Sequence, residues 1–286
     1  MNDIQKSESA DSSLVTGLVA NALKLPLVKV DRKAFLLETL PVQNTNIDKL
    51  LKLGPIKSGL FTQAQIKKHA LSIIKKRKWQ TTGTSFLTGI PGGIAMAATI
   101  PADTLQFFGF NLRVAQELAY LYGYQDFWKD GILDNEIIES ELMLFLATMF
   151  GVGGAASATR YVTNAIAKKL AVDLPKQALT KTFYYPIAKT LAGYIGIKLT
   201  KDSFAKGVSK AVPILGGIVS GGLTYYAMSK MSTRLCETFD IAVDYTPEEI
   251  QDDIATIKKE MPDVYDTIAR VVEDKPQTQT DETSQQ

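Results

Sequence analysis

The sequence predicts an all-α protein in which one multi-helix domain, residues 13–274, lies between two polar tails. Apolar residues recur at helical spacing through most of that range, and no alternating apolar and polar pattern reaches strand length. With 286 residues, 45% of them hydrophobic, the chain is long enough to bury a sizeable core. Residues 1–12 and 275–286 offer little that a core could bury, and we expect both to be disordered.

Capping signals place several helices along this domain. An apolar stripe after a serine cap predicts the first helix, and a short second helix is expected to open at Asn46 and end at Gly54. Thr62 is placed to cap a third helix, which accumulates cations in its last turn. Thr246-Pro247-Glu248-Glu249 has the pattern of a capping box with proline at the first helical position, and predicts a polar helix near the end of the domain.

Composition excludes several classes of site. The chain has one cysteine, Cys236, and one histidine, His69, so it can form no internal disulfide and no Cys/His zinc site. We expect Cys236 to be a core residue and assign the protein no cofactor and no metal. A mean hydropathy near zero is too low for a polytopic transporter. The acidic, polar N-terminus resembles neither a secretory signal nor a transit peptide, which favours a cytoplasmic location.

Three uncharged, glycine-rich stretches approach the length of a bilayer span, which is about 20 residues. They are residues 79–102, 142–159 and 211–229. Glycines four apart share one helix face and let two backbones approach closely, as in the pairs Gly89 with Gly93 and Gly217 with Gly221. These stretches are therefore either buried hairpins of a helical domain or compact hairpins that enter lipid.

A polar stripe marks the apolar helix that follows Pro101 and is expected to run to Tyr124. Its members, Asp103, Gln106, Arg113 and Glu117, fall within an arc of about 80°. Such a stripe is either a solvated face or a buried network. Arg113 and Glu117 are spaced as an i,i+4 ion pair, and Asp103 near the helix start is favoured by the helix dipole. Asp103 is also the best candidate for a catalytic acid or base.

Other catalytic and binding motifs have little support in the sequence. It contains no phosphate-binding glycine loop, and His69 has no nucleophile motif nearby. Carboxylates gather between residues 126 and 141, but their spacing matches no calcium loop.

A basic cluster stands at the threshold of the first uncharged stretch. It comprises Lys75, Lys76, Arg77 and Lys78, followed by Trp79. Cations beside a tryptophan at the edge of an apolar segment are typical of contact with an anionic membrane surface. Nucleic acid is a less favoured partner, because no nucleic-acid-binding motif accompanies the charge.

Three segments resemble the signature blocks of the EcsC family: ATIPAD at residues 98–103, NLRVAQELAYLYGY at 111–124 and VPILGGIVSGG at 212–222. The residues that carry the resemblance are Pro101, Asp103, Asn111, Arg113, Gln116, Gly216 and Gly217. The resemblance implies a helical, membrane-associated bacterial protein. The family's namesake is encoded with the subunits of an ABC exporter.

Three functions follow as hypotheses. The first is an accessory protein, cytoplasmic and partly held at the inner face of the cytoplasmic membrane, that binds anionic lipid or a membrane partner such as an ABC exporter. The second is a hydrolase that uses Asp103 and nearby carboxylates. The third is a toxin-like module that inserts its glycine-rich helices into a membrane.

Overall fold

The computed structural model describes residues 17–25, 27–81, 102–129, 132–133, 135–169 and 221–266, and this part of the chain is all-α, as predicted. Residues 17–23 are helical. The helices that follow are α1 (Arg32–Thr39), a short 3₁₀ turn (Asn44–Asn46), α2 (Ile47–Leu53), α3 (Gln63–Thr81), α4 (Ala102–Leu121), α5 (Asn135–Phe150), α6 (Ala155–Lys169), α7 (Gly221–Val243) and α8 (Pro247–Glu260). Two two-residue strands, β1 (Trp128–Lys129) and β2 (Ile132–Leu133), pair antiparallel between α4 and α5.

Two of the predicted capping motifs, at Thr62 and Thr246, form as the sequence specified, whereas Asn46 precedes α2 without a side-chain cap bond. Thr246 Oγ1 accepts a hydrogen bond from Glu249 N at 3.2 Å, and Glu249 Oε2 accepts one from Thr246 N at 2.9 Å, which completes the capping box of α8. The same reciprocal pair forms between Thr62 and Gln65 at the start of α3. Gly54 ends α2 with a φ of 81°, as its glycine predicts.

Helix α4 ends at Leu121 rather than at the predicted Tyr124. Gly123 adopts a φ of 95°, and the amides of Gly123 and Tyr124 donate to the carbonyls of Tyr120 and Ala119 at 3.2 and 3.0 Å. This is a Schellman cap, in which a left-handed glycine satisfies the last carbonyls of a helix. Tyr124 carries helix-like apolar spacing but already lies beyond that cap.

A second cap of the same type divides the uncharged stretch 142–159. Gly151, at φ 78°, and Val152 donate to the carbonyls of Thr148 and Ala147, both at 3.0 Å, and end α5. The stretch is therefore the end of one helix, a turn and the start of the next. Within the described ranges, no helix combines the length and the apolar character needed to cross a bilayer.

The core lies around α4 and α7. Helix α7 packs against α3, α4, α5 and α6, while α4 also contacts α1, α3 and α5. At the C-terminal end of α4, Tyr124, Phe145 and Phe239 have their ring centroids 5.0 to 5.4 Å apart. Phe145 packs edge-on against the other two rings, and such packing stabilises the core beyond the area that the rings bury.

The ends of α2 and α4 meet at two glycines and one arginine. A Cβ on Gly54 would lie 2.8 Å from Gly123 Cα, so the two backbones touch where side chains would separate them. Arg32, which is buried, donates from Nε to Tyr124 O at 2.8 Å and from Nη1 to Leu51 O at 2.9 Å. A cation is favoured at these helix C-termini, where carbonyl dipoles converge.

Several sequence predictions concern residues outside the described ranges. They are the two tails, Gly89, Gly93 and Gly217 with their proposed close helix contacts, and most of the uncharged stretches 79–102 and 211–229.

Candidate functional site

The polar stripe of α4 is a buried network around Glu117. The carboxylate of Glu117 is fully buried, and Arg113 Nε donates to its Oε1 at 3.0 Å, which confirms the predicted i,i+4 pair. The sequence left open whether the stripe is a solvated face or a buried network. At Arg113 and Glu117 it is a buried network. Gln106, one of the other stripe members, is half-buried.

Arg77 supplies the second cation of this network. Its Nε lies 2.9 Å from Glu117 Oε2 and its Nη2 lies 2.5 Å from Oε1, a bidentate arrangement that joins α3 to α4. Only 16% of the Arg77 side chain is exposed. The sequence analysis placed Arg77 with Lys75, Lys76 and Lys78 in a cluster expected to contact a membrane surface. Its guanidinium instead points inward to a carboxylate 40 residues away.

Burial has an electrostatic consequence for Arg113. Removal from water lowers the pKa of its guanidinium, and the adjacent Glu117 carboxylate partly offsets that effect. Because arginine starts from so high a pKa, it remains charged here. The network therefore holds two cations around one anion.

Arg113 also helps to hold the segment 27–30 against α4, together with Gln116. Arg113 Nη1 donates to Leu27 O. Gln116 Nε2 donates to Val28 O at 3.0 Å, while its Oε1 accepts from Val30 N at 3.3 Å and from Trp128 Nε1 at 2.8 Å. Both residues lie in the segment 111–124, and both hydrogen-bond the backbone of residues 27–30.

The segment packs closely against α4 at Gly109. A Cβ at Gly109 would lie 2.9 Å from Val28 Cγ2 and 3.1 Å from Leu25 Cδ1, so the helix offers a bare surface where the segment crosses it. Gly109, Arg113, Gln116 and Tyr120 follow the spacing of one helix face. Tyr120 completes the set, since its hydroxyl lies 3.4 Å from Val30 O.

The other residues that carried the sequence resemblance have different positions. Asn111 is fully buried and donates from Nδ2 to Phe107 O at 2.8 Å, while its Oδ1 has no partner among the described residues. Asp103 is the second residue of α4, where a negative charge is favoured by the dipole, but its side chain lies outside the described set. Pro101, Gly216 and Gly217 lie outside the described residues altogether.

The basic cluster divides into members that face solvent and one that does not. Lys75 and Lys76 are exposed, and Lys76 Nζ lies 3.4 Å from the exposed carboxylate of Glu38. Lys78 and Trp79 belong to the last turn of α3, and their side chains lie outside the described set. Arg77, paired with Glu117, fixes the helix turn from which the two exposed lysines project.

A small cavity of about 260 Å³ opens near the junction of α2, α4 and α7. Its lining includes Leu53, Lys57, Tyr122, Tyr124, Thr163 and Phe239. The Tyr122 hydroxyl donates to Asp240 Oδ1 at 3.2 Å, and the hydroxyls of Tyr124 and Thr163 lie 2.5 Å apart. Burial raises the pKa of both tyrosines, so the cavity presents neutral hydroxyl groups on an apolar wall.

Catalytic chemistry finds little support among the described side chains. Cys236 is fully buried, as predicted, and burial raises the pKa of its thiol, which disfavours the reactive thiolate. His69 packs edge-on against Phe61, with ring centroids 6.3 Å apart. Asp126 accepts from Tyr120 OH and Trp128 N. The described side chains include no group of three or more His, Cys, Asp or Glu that could hold a metal ion.

No protein-family model, curated protein or solved structure matches the chain. The geometry of α3 and α4 is therefore the basis for assigning a function.

Proposed function

We propose that the protein is a peripheral accessory protein of the EcsC type that binds the anionic inner face of the cytoplasmic membrane through the outer surface of α3. The observation that carries this proposal is the exposure of Lys75 and Lys76 directly before the uncharged residues 79–102. Arg77 is held by Glu117, so the two lysines project from an anchored turn rather than from a fraying helix end.

The outer surface of α3 combines charge with apolar area. Lys68, Leu71 and Lys75 are exposed or partly exposed and lie at i, i+3 and i+7, the spacing of one helix face. Leu71 keeps 45% of its surface in solvent. An apolar side chain between lysines suits the interface of an anionic bilayer, where the lysines meet headgroups and the leucine meets acyl chains. A nucleic-acid backbone would use the charges alone.

The expected strength follows from the charge. Each lysine near an anionic leaflet contributes about 1 kcal/mol, so removing two of them weakens binding by roughly 30-fold. Salt screens this term strongly, because the Debye length falls to about 3 Å at molar ionic strength.

The test is sedimentation of the full chain with vesicles of phosphatidylcholine, with and without phosphatidylglycerol. We expect binding to the anionic vesicles only, release by salt, and a large loss in the double variant Lys75→Gln/Lys76→Gln. Lys258→Gln/Lys259→Gln is a matched control, because it removes two adjacent exposed lysines from the last turn of α8. Equal binding by both double variants, or no binding by the natural chain, would overturn the proposal.

A further inference from the structure

Leu27 stands out as an exposed leucine in a backbone conformation that leucine avoids. It keeps 63% of its surface in solvent and has a φ of 70°. Among the described residues it is the only one other than glycine with a positive φ. Such outliers persist when the surroundings fix them, and they concentrate at functional positions.

The local turn explains the conformation. Val28 N donates to Leu25 O at 3.3 Å and closes a four-residue turn in which Leu27 is the third residue. A type II turn requires a positive φ at its third residue, where glycine or asparagine is the usual choice. The sequence has a bulky apolar residue at the one position of this turn that disfavours a side chain.

The rest of the turn is fixed to the protein. Leu25 and Val28 are buried against Gly109 of α4, and Arg113 Nη1 donates to Leu27 O. Arg113 is held in turn by the buried Glu117. Leu27 is therefore held by its backbone on a rigid base, while most of its side chain stays uncovered by the described part of the chain.

The surface around the turn is basic. Lys24 and Lys29 are exposed on either side of Leu27, and Lys29 Nζ lies 5.2 Å from the centroid of the Trp128 ring. The nearby carboxylate of Asp31 is turned toward α1, where its Oδ1 accepts from Ala34 N at 2.7 Å. Through Arg113, Glu117 and Arg77, this turn is joined by hydrogen bonds to the turn of α3 that carries Lys75 and Lys76.

We infer that Leu27 is an apolar anchor that enters the headgroup region of an anionic bilayer, flanked by Lys24 and Lys29. This inference rests on the proposed function and adds to it a second contact, linked to the first through Arg113, Glu117 and Arg77. The charge of the flanking lysines selects an anionic surface, and the strained leucine supplies the apolar contact that charge alone lacks.

Leu27→Asn tests the anchor in the full chain, because asparagine accepts a positive φ and removes the apolar side chain. We expect its affinity for vesicles of phosphatidylcholine with phosphatidylglycerol to fall roughly tenfold, while its melting temperature stays equal to that of the natural chain or rises. Leu27→Phe restores an apolar side chain and should restore binding.

Ile241→Gln is the matched control. Ile241 is an exposed apolar residue on α7 with 45% of its surface in solvent, and it lies close in sequence to the acidic Asp240 and Asp244. Unchanged binding by Ile241→Gln together with a loss in Leu27→Asn supports the anchor.

Equal binding by Leu27→Asn and the natural chain overturns the anchor and leaves the proposed function standing. No binding by the natural chain overturns both. A change of oligomeric state in Leu27→Asn with unchanged vesicle binding also overturns the anchor, since Leu27 then contacts a second copy.

Discussion

Arg77 and Glu117 form a bidentate ion pair between α3 and α4, with nitrogen–oxygen distances of 2.9 and 2.5 Å. Glu117 has no exposed side-chain surface and receives a further hydrogen bond from Arg113. A carboxylate withdrawn from water is stable in its charged form only when such partners surround it. The pair therefore specifies how α3 docks on α4 and which way its lysines face.

Glu117→Gln should destabilise the protein by about 3 kcal/mol or more, because two partly buried guanidinium groups lose their counter-ion. Urea denaturation at neutral pH measures the loss. Glu38→Gln is the matched control: it makes the same change in the exposed pair with Lys76 and should cost less than about 1 kcal/mol. Equal losses in the two variants would show that the buried network contributes no more than a surface pair.

The origin of this network explains what the sequence could and could not predict. Arg113 and Glu117 are one helical turn apart, so their pairing follows from spacing alone. Arg77 lies 40 residues from Glu117, and nothing in its local pattern separates it from the neighbouring lysines. The sequence therefore predicts the stripe but leaves open whether it is buried, because that depends on which helix packs over it.

The same distinction applies to the rest of the fold. Caps such as Thr246 with Glu249 use residues within four positions of each other and were predicted correctly. The segment 27–30 contacts Arg113, Gln116 and Tyr120, which lie 86 to 90 residues away in the sequence. No local sequence pattern predicts that contact. Gly109 is the residue that could have indicated this contact. A glycine inside an apolar helix weakens the helix, so its presence suggests that another segment packs closely there.

Three glycine-to-alanine variants should form a graded series in thermal stability. Gly17 lies in a helix, and no described atom comes within 4 Å of the place its Cβ would take, so Gly17→Ala should stabilise by up to about 1 kcal/mol. Gly59 has equal space but a φ of 70°, and its variant should lose about 1 kcal/mol to backbone strain. Gly54 has a φ of 81°, and a Cβ there would also contact the Gly123 backbone. Gly54→Ala should therefore lose about 3 kcal/mol of stability.

Melting curves of the three variants give the order directly. A loss in Gly54→Ala no greater than that in Gly59→Ala would contradict the close approach of the α2 and α4 termini.

Asp253→Asn should weaken the junction of α6 and α8 in a pH-dependent way. Burial raises the pKa of this carboxyl, but hydrogen bonds from Arg160 and Tyr245 outweigh that effect and hold it below the ordinary value of 3.8. A lowered folded pKa stabilises above the ordinary value, and this contribution is lost as pH falls through the folded one. We expect a loss of about 1–3 kcal/mol near neutral pH that shrinks in acid.

Asp252→Asn, an exposed neighbour on the same helix, is the control for this prediction. Urea titrations at neutral pH and in acid, below the ordinary pKa of the carboxyl, measure both variants. A loss in Asp253→Asn that is the same under the two conditions would contradict a role for its charge.

Glu141, in α5, should make the protein less stable as pH rises. Burial raises the pKa of its carboxyl from the ordinary 4.5 to about 8, and it lies near the buried hydroxyl of Tyr124. Between these two values the unfolded chain releases a proton that the folded protein retains. The contribution of Glu141 is therefore fully present below about pH 4.5 and is lost as pH rises through 8.

Glu141→Gln removes this dependence, because glutamine keeps the shape of the protonated acid and cannot ionise. Its stability should match that of the natural chain near pH 5 and exceed it near pH 8, by a difference on the order of a few kcal/mol. Urea midpoints at the two pH values measure that difference. Comparing the variant with the natural chain at each pH removes the contributions of the other titrating groups, which the two proteins share. Glu237→Gln, which makes the same change at an exposed position of α7, is the matched control. A Glu141→Gln difference that stays constant between the two pH values would mean that Glu141 is already ionised in the folded protein.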